Sequence, residues 1–294
     1  MPQILSNNIM LEYDEFGSPF SPAVVLIMGL GAQMVAWPND FCQNIADAGY
    51  RVIRFDNRDI GLSQKFDGVR RPNILKLLVA DYFKVRIKVP YSLADMSKDT
   101  LGLLDALHID QAHIVGASMG GMIAQLLTGK FPERVLSLTS LMSTSGNKGL
   151  PRTNKDVVKQ MLSRPDGSNR EDYINHAVKT FQMIGSPAYP RPQKAWYKLI
   201  EMMLARSYYP QGFHRQVAAV LSAGSRKKLL NSIATPTLVI HGTEDPLIKV
   251  EHGIDTAKEI PDAKLELIEG MGHDLSPRLI PVLSDLIVDH INSV

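Results

Sequence analysis

Positions 112–121, which read AHIVGASMGG, decide the fold. The first six residues form a short apolar run that predicts a buried strand, and Met119–Lys130 predicts a helix that ends before Pro132. Between them, positions 116–120 (GASMG) fit the pattern G-x-S-x-G. A chain of this length contains that pattern by chance about one time in ten. The interpretation of this pattern therefore depends on its position between a strand and a helix.

Further apolar runs lie on both sides of this stretch. The predicted strands are positions 23–28 (AVVLIM), Arg51–Phe55, Val135–Leu141, positions 237–241 and Lys264–Ile268. Helix-like segments separate most of them. Buried strands that alternate with helices indicate right-handed crossovers and an α/β fold, with a mostly parallel sheet that helices cover on both faces.

Two helix starts carry local signals. Ser92 and Asp95 form a capping-box pattern ahead of a helix that runs to Leu107. Ser276 is predicted to open the last helix, because Pro277 then occupies the favoured first helical position.

One interval between predicted strands is too long for a simple crossover. About 95 positions separate Leu141 from Thr237, whereas a crossover needs little more than about 10–12 residues. We therefore predict that residues 144–230 form an inserted helical cap (lid) and that residues 1–143 and 231–294 form the core. The insertion is rich in aromatic and methionine side chains, which favours a role above a pocket. The alternative is an insertion whose aromatic side chains pack only on one another.

A second interval, from Asp67 to Pro90, mixes basic and apolar residues. The basic residues are Arg70, Arg71, Lys76, Lys84, Arg86 and Lys88. We interpret the interval as a solvated excursion beside the cap. An amphipathic helix on a membrane surface is the alternative.

Ser118 occupies the position that a nucleophile requires. A tight turn between strand and helix lifts its hydroxyl above the carboxyl edge of the sheet, with the helix N-terminus beneath it. The next amide, on Met119, then faces an oxyanion that forms there. We place the second donor at the Leu30 amide, because Gly29 and Gly31 give that loop a flexible backbone. A simple glycine turn is the alternative.

A serine hydroxyl needs a base, and the chain has 8 histidines. His273 lies between the last predicted strand and the last helix, at the edge where such sheets place their ligands. His241 ends a strand, and we interpret it as a buried histidine bonded to the backbone. Asp245 follows that strand and is the predicted partner that orients His273, with Glu244 as its rival. Ordinary surface or loop positions are expected for His108, His176, His214, His252 and His290.

The order Ser118, Asp245, His273 is the order expected of an α/β hydrolase, and the chain resembles that superfamily over nearly its whole length. The segments that carry the resemblance are positions 25–31 (VLIMGLG), 37–41 (WPNDF), 54–63 (RFDNRDIGLS), 116–121 (GASMGG), 236–246 (PTLVIHGTEDP) and 270–274 (GMGHD). Within it, the chain is most similar to the capped bacterial serine esterases that include aclacinomycin methylesterase, and more distantly to the 3-oxoadipate enol-lactonases. The resemblance implies an eight-stranded sheet with a helical cap, the same catalytic triad, and the Leu30 and Met119 amides as the oxyanion hole.

Two positions depart from the superfamily pattern. Met28 and Gly29 stand where many members carry His-Gly, which resembles the methylesterase group. The usual Asp-x-Arg-Gly turn is DNRD at positions 56–59. We predict that Asp56 and Arg58 brace this loop.

Composition excludes several classes of protein. The 294 residues, 45% of them hydrophobic, suffice for two domains or for one large domain with an insertion. A net charge of +2 gives no basic field for a nucleic acid. The single cysteine, Cys42, favours a reducing compartment. The N-terminus does not resemble a signal peptide, and no apolar run is long enough for stable membrane insertion. We therefore predict a cytoplasmic protein.

No motif for a cofactor or a metal is complete. The glycine patterns of nucleotide-binding loops are broken, and the chain has no H-E-x-x-H and no Cys-x-x-Cys. The sequence thus predicts a cofactor-free, metal-free serine hydrolase whose partner is a small-molecule ester of short to medium chain. The alternatives are another triad reaction (carbon–carbon bond hydrolysis, lactone hydrolysis, acyl transfer or a cofactor-free lyase) and a non-enzymatic ligand sensor. The sequence leaves the oligomeric state open.

Overall fold

The computed structural model describes residues 2–69, 72–73, 76–77, 79, 88–163, 165–167 and 169–294. The predicted excursion at 67–90 lies mostly outside these residues. Its interpretation therefore stays a prediction.

A single sheet of eight strands forms the centre of the described part of the chain. The strands are β1 (Gln3–Ser6), β2 (Ile9–Phe16), β3 (Ala23–Ile27), β4 (Arg51–Phe55), β5 (Ala112–Ala117), β6 (Val135–Leu141), β7 (Thr237–Gly242) and β8 (Lys264–Ile268). Their order in the sheet is β1-β2-β4-β3-β5-β6-β7-β8. The pairs β1–β2 and β2–β4 are antiparallel, and all the others are parallel. The carboxyl ends of β3 to β8 therefore meet at one edge of the sheet.

Helices cover both faces of this sheet. They are α1 (Asn39–Asp47), α2 (Leu93–Ala106), α3 (Met119–Lys130), α4 (Lys155–Leu162), α5 (Arg170–Ile184), α6 (Gln193–Arg206), α7 (Pro210–Ser222), α8 (Lys227–Leu230), α9 (Val250–Glu259) and α10 (Ile280–Asn292). Residues of β3 alternate between the two faces. Val25 and Ile27 pack with α2 and α3, whereas Val24 and Leu26 pack with α1 and α10. The predicted α/β architecture, with a mostly parallel sheet that helices cover on both faces, is thus confirmed.

The apolar layer beside α1 and α10 encloses Cys42 completely. Burial raises the pKa of its thiol to about 12.

The structure agrees with one of the two predicted helix starts. Ser92 accepts a hydrogen bond from the Asp95 amide at 3.2 Å, and Asp95 accepts one from the Ser92 amide at 2.9 Å. The prediction for the last helix is wrong, because that helix begins at Ile280 rather than after Ser276. The Ser276 carbonyl instead accepts a turn hydrogen bond from the Leu279 amide at 2.8 Å.

The hairpin formed by β1 and β2 has no counterpart among the predicted strands. Its two-residue turn consists of Asn7 and Asn8, with φ angles of 47° and 63°. Positive φ at both central positions is typical of the tight turns that join antiparallel strands, and asparagine tolerates it well.

Helices α4 to α8 lie in the interval predicted as an insertion, between β6 and β7. They have a small apolar core of their own, which includes Ile174, Val178, Trp196 and Ile200. Phe181 stacks on Trp196 with 5.5 Å between ring centroids. Part of the aromatic content of the insertion therefore packs on itself.

No helix in the described ranges combines the length and the apolar character needed to cross a bilayer.

Candidate active site

Ser118 lies at the sharp turn between β5 and α3. Its backbone has φ 56° and ψ −119°, which a non-glycine residue adopts only when its surroundings impose it. Its amide donates to the Leu141 carbonyl at 2.9 Å, and its carbonyl accepts from Ser143 Oγ at 2.8 Å. A Cβ added to Gly120 would lie 2.0 Å from the Ile27 carbonyl oxygen, so glycine is required for this helix to approach the sheet.

The loop after β3 lies directly against Ser118. A Cβ added to Gly29 would lie 3.1 Å from the Ser118 Cβ. Asn57 Nδ2 donates to the Met28 carbonyl at 2.9 Å, which fixes the start of this loop. Leu30 and Met119 line the same cavity as Ser118.

His273 lies on the loop after β8 and is bonded to Asp245 on the loop after β7. The distance from His273 Nδ1 to Asp245 Oδ2 is 2.6 Å. The other oxygen of Asp245 accepts hydrogen bonds from the Leu247 and Ile248 amides, each at 2.8 Å. Glu244, the predicted rival, is exposed to solvent. The structure therefore pairs His273 with Asp245.

The charge of Asp245 depends on its two histidine neighbours. Burial opposes its ionisation, but His273 and His241 outweigh that effect and hold the pKa of this carboxyl well below its usual range. His241 Nε2 lies 3.5 Å from Asp245 Oδ2 and 2.8 Å from the Ile248 carbonyl. The prediction that His241 is buried and bonded to the backbone is confirmed.

Asp274 follows His273 in sequence but has a different environment. Its Oδ1 accepts hydrogen bonds from both the amide and the hydroxyl of Ser186, a residue of the insertion. Burial raises its pKa, against the opposing effects of Ser186 and Arg191. Asp274 therefore anchors the insertion and does not orient the imidazole.

The insertion meets the loop of His273 through a set of hydrogen bonds that we call the His273 contact. It joins residues 184–188 to residues 270–274. The His273 amide donates to the Ile184 carbonyl at 2.6 Å, and the Ala188 amide donates to the Gly270 carbonyl at 3.1 Å. Ser186 also accepts from the Gly272 amide at 2.9 Å.

On the other side of the site, residues 203–216 meet residues 31–33 and 56–59, which we call the Gly31 contact. Arg215 Nε lies 2.7 Å from Asp59 Oδ2, and Arg206 lies 2.5 Å from Asp56. Gln33 Nε2 donates to the Met203 carbonyl at 2.7 Å. Asp56, Asp59 and Arg215 are buried at this contact, and the Arg206 side chain is 11% exposed.

The DNRD loop itself is braced, as predicted. Asp56 accepts hydrogen bonds from the Met34 amide at 2.7 Å and the Leu62 amide at 2.8 Å. Arg58 forms a buried ion pair with Asp99 at 2.5 Å.

A cavity of about 3190 Å³ lies between the carboxyl edge of the sheet and the insertion. Ser118 and His273 both line it. The hydrogen bonds described for His273 go to Asp245 and Ile184, and none joins it to Ser118. In the absence of substrate such bonds are often long, and they shorten when substrate binds.

A model of the "alpha/beta hydrolase fold" family matches residues 22–277. The chain belongs to the α/β-hydrolase family.

Curated relatives of this α/β hydrolase are named for different activities. The rhodomycin D methylesterase DauP of Streptomyces sp. (strain C5) is 27% identical over 293 aligned positions, with 92% of this chain and 91% of the relative covered. The 2-hydroxy-6-oxononadienedioate/2-hydroxy-6-oxononatrienedioate hydrolase of Paraburkholderia xenovorans (strain LB400) is 28% identical over 272 residues, covering 90% and 84%. The relatives thus include carboxylic-ester hydrolases, in agreement with the predicted enzyme class.

Solved structures agree on the fold of this α/β hydrolase. A meta-cleavage product hydrolase from Pseudomonas fluorescens IP01 superposes with a TM-score of 0.78 at 18% identity, covering 100% of this chain and 98% of the other. An enol-lactonase from Burkholderia xenovorans LB400 gives 0.75 at 20% identity, covering 99% and 100%.

Sequence reasoning missed the residues that attach the insertion. Ser186, Arg206, Arg215 and Gln216 belong to no local motif. Gly272, Asp56, Asp59 and Gly31, which they contact in the core, lie between 86 and 185 positions away in the sequence. The prediction that His290 is an ordinary surface histidine is also wrong, because its side chain is buried.

Proposed function

We propose that this α/β hydrolase is a serine carboxylic-ester hydrolase in which Ser118 is the nucleophile, His273 the base and Asp245 the acid. The observation that carries the proposal is the 2.6 Å bond between His273 and Asp245, beside a cavity that Ser118 enters from a strained turn. Asp245 holds Nδ1, so Nε2 is the nitrogen that accepts the serine proton.

The reaction proceeds by acyl transfer through Ser118. His273 takes the hydroxyl proton as Ser118 Oγ attacks the ester carbonyl carbon. The Leu30 and Met119 amides donate hydrogen bonds to the oxyanion. His273 then gives its proton to the leaving alcohol, and the acyl-enzyme remains. Water, deprotonated by His273, releases the acid and restores Ser118.

The apolar part of the cavity wall supports an uncharged ester as substrate. The wall beyond the triad comes largely from residues 144–230, which we propose as the lid, and includes Phe181, Trp196, Tyr208 and Phe213. Apolar and aromatic walls bind small hydrophobic molecules. The methylesterases among the relatives support the same class.

Hydrolysis of a carbon–carbon bond is the second candidate. The relatives named as nonadienedioate hydrolases favour it. So does Arg191, a cation in the cavity wall whose Nη2 donates to the Leu275 carbonyl. An arginine there suits a carboxylate on the substrate.

The decisive experiment is intact-mass measurement after incubation with a fluorophosphonate, followed by peptide mapping. We expect a single adduct on Ser118 and turnover in a panel of uncharged esters that exceeds turnover of a dienoic diacid. Ser118→Ala should abolish the adduct and lower kcat by about 10⁶-fold. Ser137→Ala, which removes a buried serine of β6 that contacts His113, is the matched control and should retain both.

Each other outcome contradicts part of the proposal. A folded protein that forms no adduct would contradict the triad and favour the ligand sensor. An adduct combined with preferential cleavage of the diacid would replace ester hydrolysis by carbon–carbon bond hydrolysis.

A further inference from the structure

Gln216 of α7 connects the insertion to the loop beside Ser118. Its Oε1 accepts a hydrogen bond from the Gly31 amide at 2.9 Å, and its Nε2 donates to the Arg58 carbonyl at 2.9 Å. The side chain is completely buried and does not line the cavity. Gln216 therefore contacts the backbone of two core loops and no part of the cavity.

One hydrogen bond within the loop that Gln216 holds, from the Ala32 amide to the Gly29 carbonyl, is long at 3.4 Å. The loop contains glycine on both sides of Leu30, and Gly31 has φ +70°, a conformation that side chains other than glycine rarely adopt. Asn57 fixes the Met28 carbonyl at one end of the loop, and Gln216 fixes the Gly31 amide at the other. The Leu30 amide lies between these two points, so its direction depends on both.

Neighbouring residues hold Gln216 itself in place. The adjacent Arg215 donates to both carboxylate oxygens of Asp59, at 2.7 Å and 2.9 Å. Gly212, one turn earlier, packs so closely that an added Cβ would lie 2.0 Å from the Asp59 carbonyl oxygen. α7 therefore packs on the core at the point where Gln216 contacts the loop.

We infer that Gln216 is a positioning residue that orients the Leu30 amide toward the oxyanion. The inference rests on the proposed function, because it assigns a purpose to the oxyanion hole. Without the bond to Gln216, a loop with two glycines samples several peptide orientations, and only one of them directs the Leu30 N–H at the oxyanion. The hydrogen bond to Gln216 selects that orientation before substrate arrives, as preorganised stabilisation of a transition state requires. The insertion thus contributes to turnover as well as covering the pocket.

The test compares Gln216→Met, which keeps the length of the side chain but removes both hydrogen bonds, with Gln216→Asn, which is too short to reach both loops. Gln160→Met is the matched control, since Gln160 is a largely buried glutamine of the same insertion whose bonds stay within α4 and α5. For the ester found in the panel, both Gln216 variants should lower kcat by about 10- to 100-fold, less than or equal to the effect of losing one donor completely. KM should change by less than about 2-fold, and Gln160→Met should resemble wild type.

A boronic acid provides a readout that a loss of packing alone does not change. It forms a tetrahedral adduct on a serine, with an oxygen in the oxyanion position. Its affinity should fall by the same factor as kcat, while the affinity of a non-reactive ester analogue stays constant. In the wild type, the Gly31 amide should exchange its hydrogen slowly.

Failures of the two proposals give different results. If wild type forms the Ser118 adduct and hydrolyses the ester, but both Gln216 variants retain kcat, the positioning role is wrong. A rise in KM at constant kcat would also overturn it. Fast hydrogen exchange at the Gly31 amide of the wild type would overturn it too, and that measurement does not depend on the folding of a variant. If wild type forms no adduct, the proposed function is contradicted first. Slow hydrogen exchange at the Gly31 amide would then show only that its bond to Gln216 is structural.

Discussion

The His273 contact and the Gly31 contact attach one insertion to one core by different chemistry. The His273 contact consists of hydrogen bonds among backbone groups, the Ser186 hydroxyl and the Asp274 carboxyl. The Gly31 contact adds two ion pairs, the buried pair Arg215–Asp59 and the pair Arg206–Asp56, whose arginine is 11% exposed. Losing a hydrogen bond costs little net free energy, because water replaces it, whereas an ion-pair charge left unpaired in the interior costs several kcal/mol. We therefore expect the insertion to open at the His273 contact first and to pivot on the Gly31 contact.

Among the tests of this comparison, the largest effect should come from Asp245, the partner of His273 that lies in the core. Asp245→Asn should lower kcat about 10⁴-fold with little change in folding, because the amide favours the wrong tautomer of the imidazole. Glu244→Gln, on the exposed neighbour, is the matched control and should be neutral. Steady-state kinetics of the two variants measure this difference in kcat. Nearly normal turnover in Asp245→Asn would mean that the His273 contact alone orients the base.

The next largest effect concerns the stability of the Gly31 contact. Arg215→Met leaves Asp59 buried without its ion-pair partner and should lower the free energy of unfolding by about 3–5 kcal/mol. Adding Asp59→Asn should restore most of that loss, because the unpaired charge is then gone and asparagine tolerates the positive φ of 69° at this position. Urea unfolding monitored by tryptophan fluorescence measures both. A loss below about 1 kcal/mol would show that water reaches Asp59 and that the pair resembles one on the surface.

A smaller loss is expected at the His273 contact. Ser186→Ala removes a hydroxyl that bonds to Asp274 and to the Gly272 amide, and it should cost about 1–3 kcal/mol. Hydrogen exchange at the His273 amide should accelerate, while exchange at Gly31 stays slow. Equal acceleration at the two amides would remove the proposed order of opening.

The smallest effect is a dependence on pH at the same contact. Burial raises the pKa of Asp274, so the folded protein holds this proton more tightly than the unfolded chain does. Its contribution to stability is complete below the usual pKa of an aspartate, about 4, and is lost as the pH rises through the raised value. Urea unfolding of wild type and Asp274→Asn from pH 4 to pH 7 measures this contribution. Wild type should lose stability relative to the variant as the pH rises. A difference that stays flat would show that Asp274 is solvated.

Features with a local or periodic cause were predictable from the sequence. The central strands are buried on both faces, so their apolar runs are continuous and easy to find. The capping box at Ser92 depends on a residue three positions away. The β1–β2 hairpin was missed because β1 is a short strand, partly exposed to solvent. The start at Ser276 was wrong because residues 276–279 form a local turn, closed by the hydrogen bond from the Leu279 amide to the Ser276 carbonyl, before the helix begins.

The residues of the candidate site were likewise predictable in part, because only some of them have a local or topological cause. Ser118, Asp245 and His273 follow the ends of β5, β7 and β8, so the topology alone brings their loops to one edge. The pairing of Gln216 with Gly31 joins positions 185 apart and leaves no periodic signal. Only the packing of α7 on the core reveals it.

The enclosed thiol of Cys42 makes this protein convenient for spectroscopy. It is the one cysteine in the sequence, and a thiol with a pKa of about 12 has almost no thiolate at neutral pH. Maleimide dyes would therefore react selectively with cysteines introduced at exposed positions, without prior removal of the native one. Leu162 in the insertion and Leu5 in β1 are 60% and 62% exposed. A donor–acceptor pair attached there would report single-molecule distances between insertion and sheet, and so follow the pivoting directly.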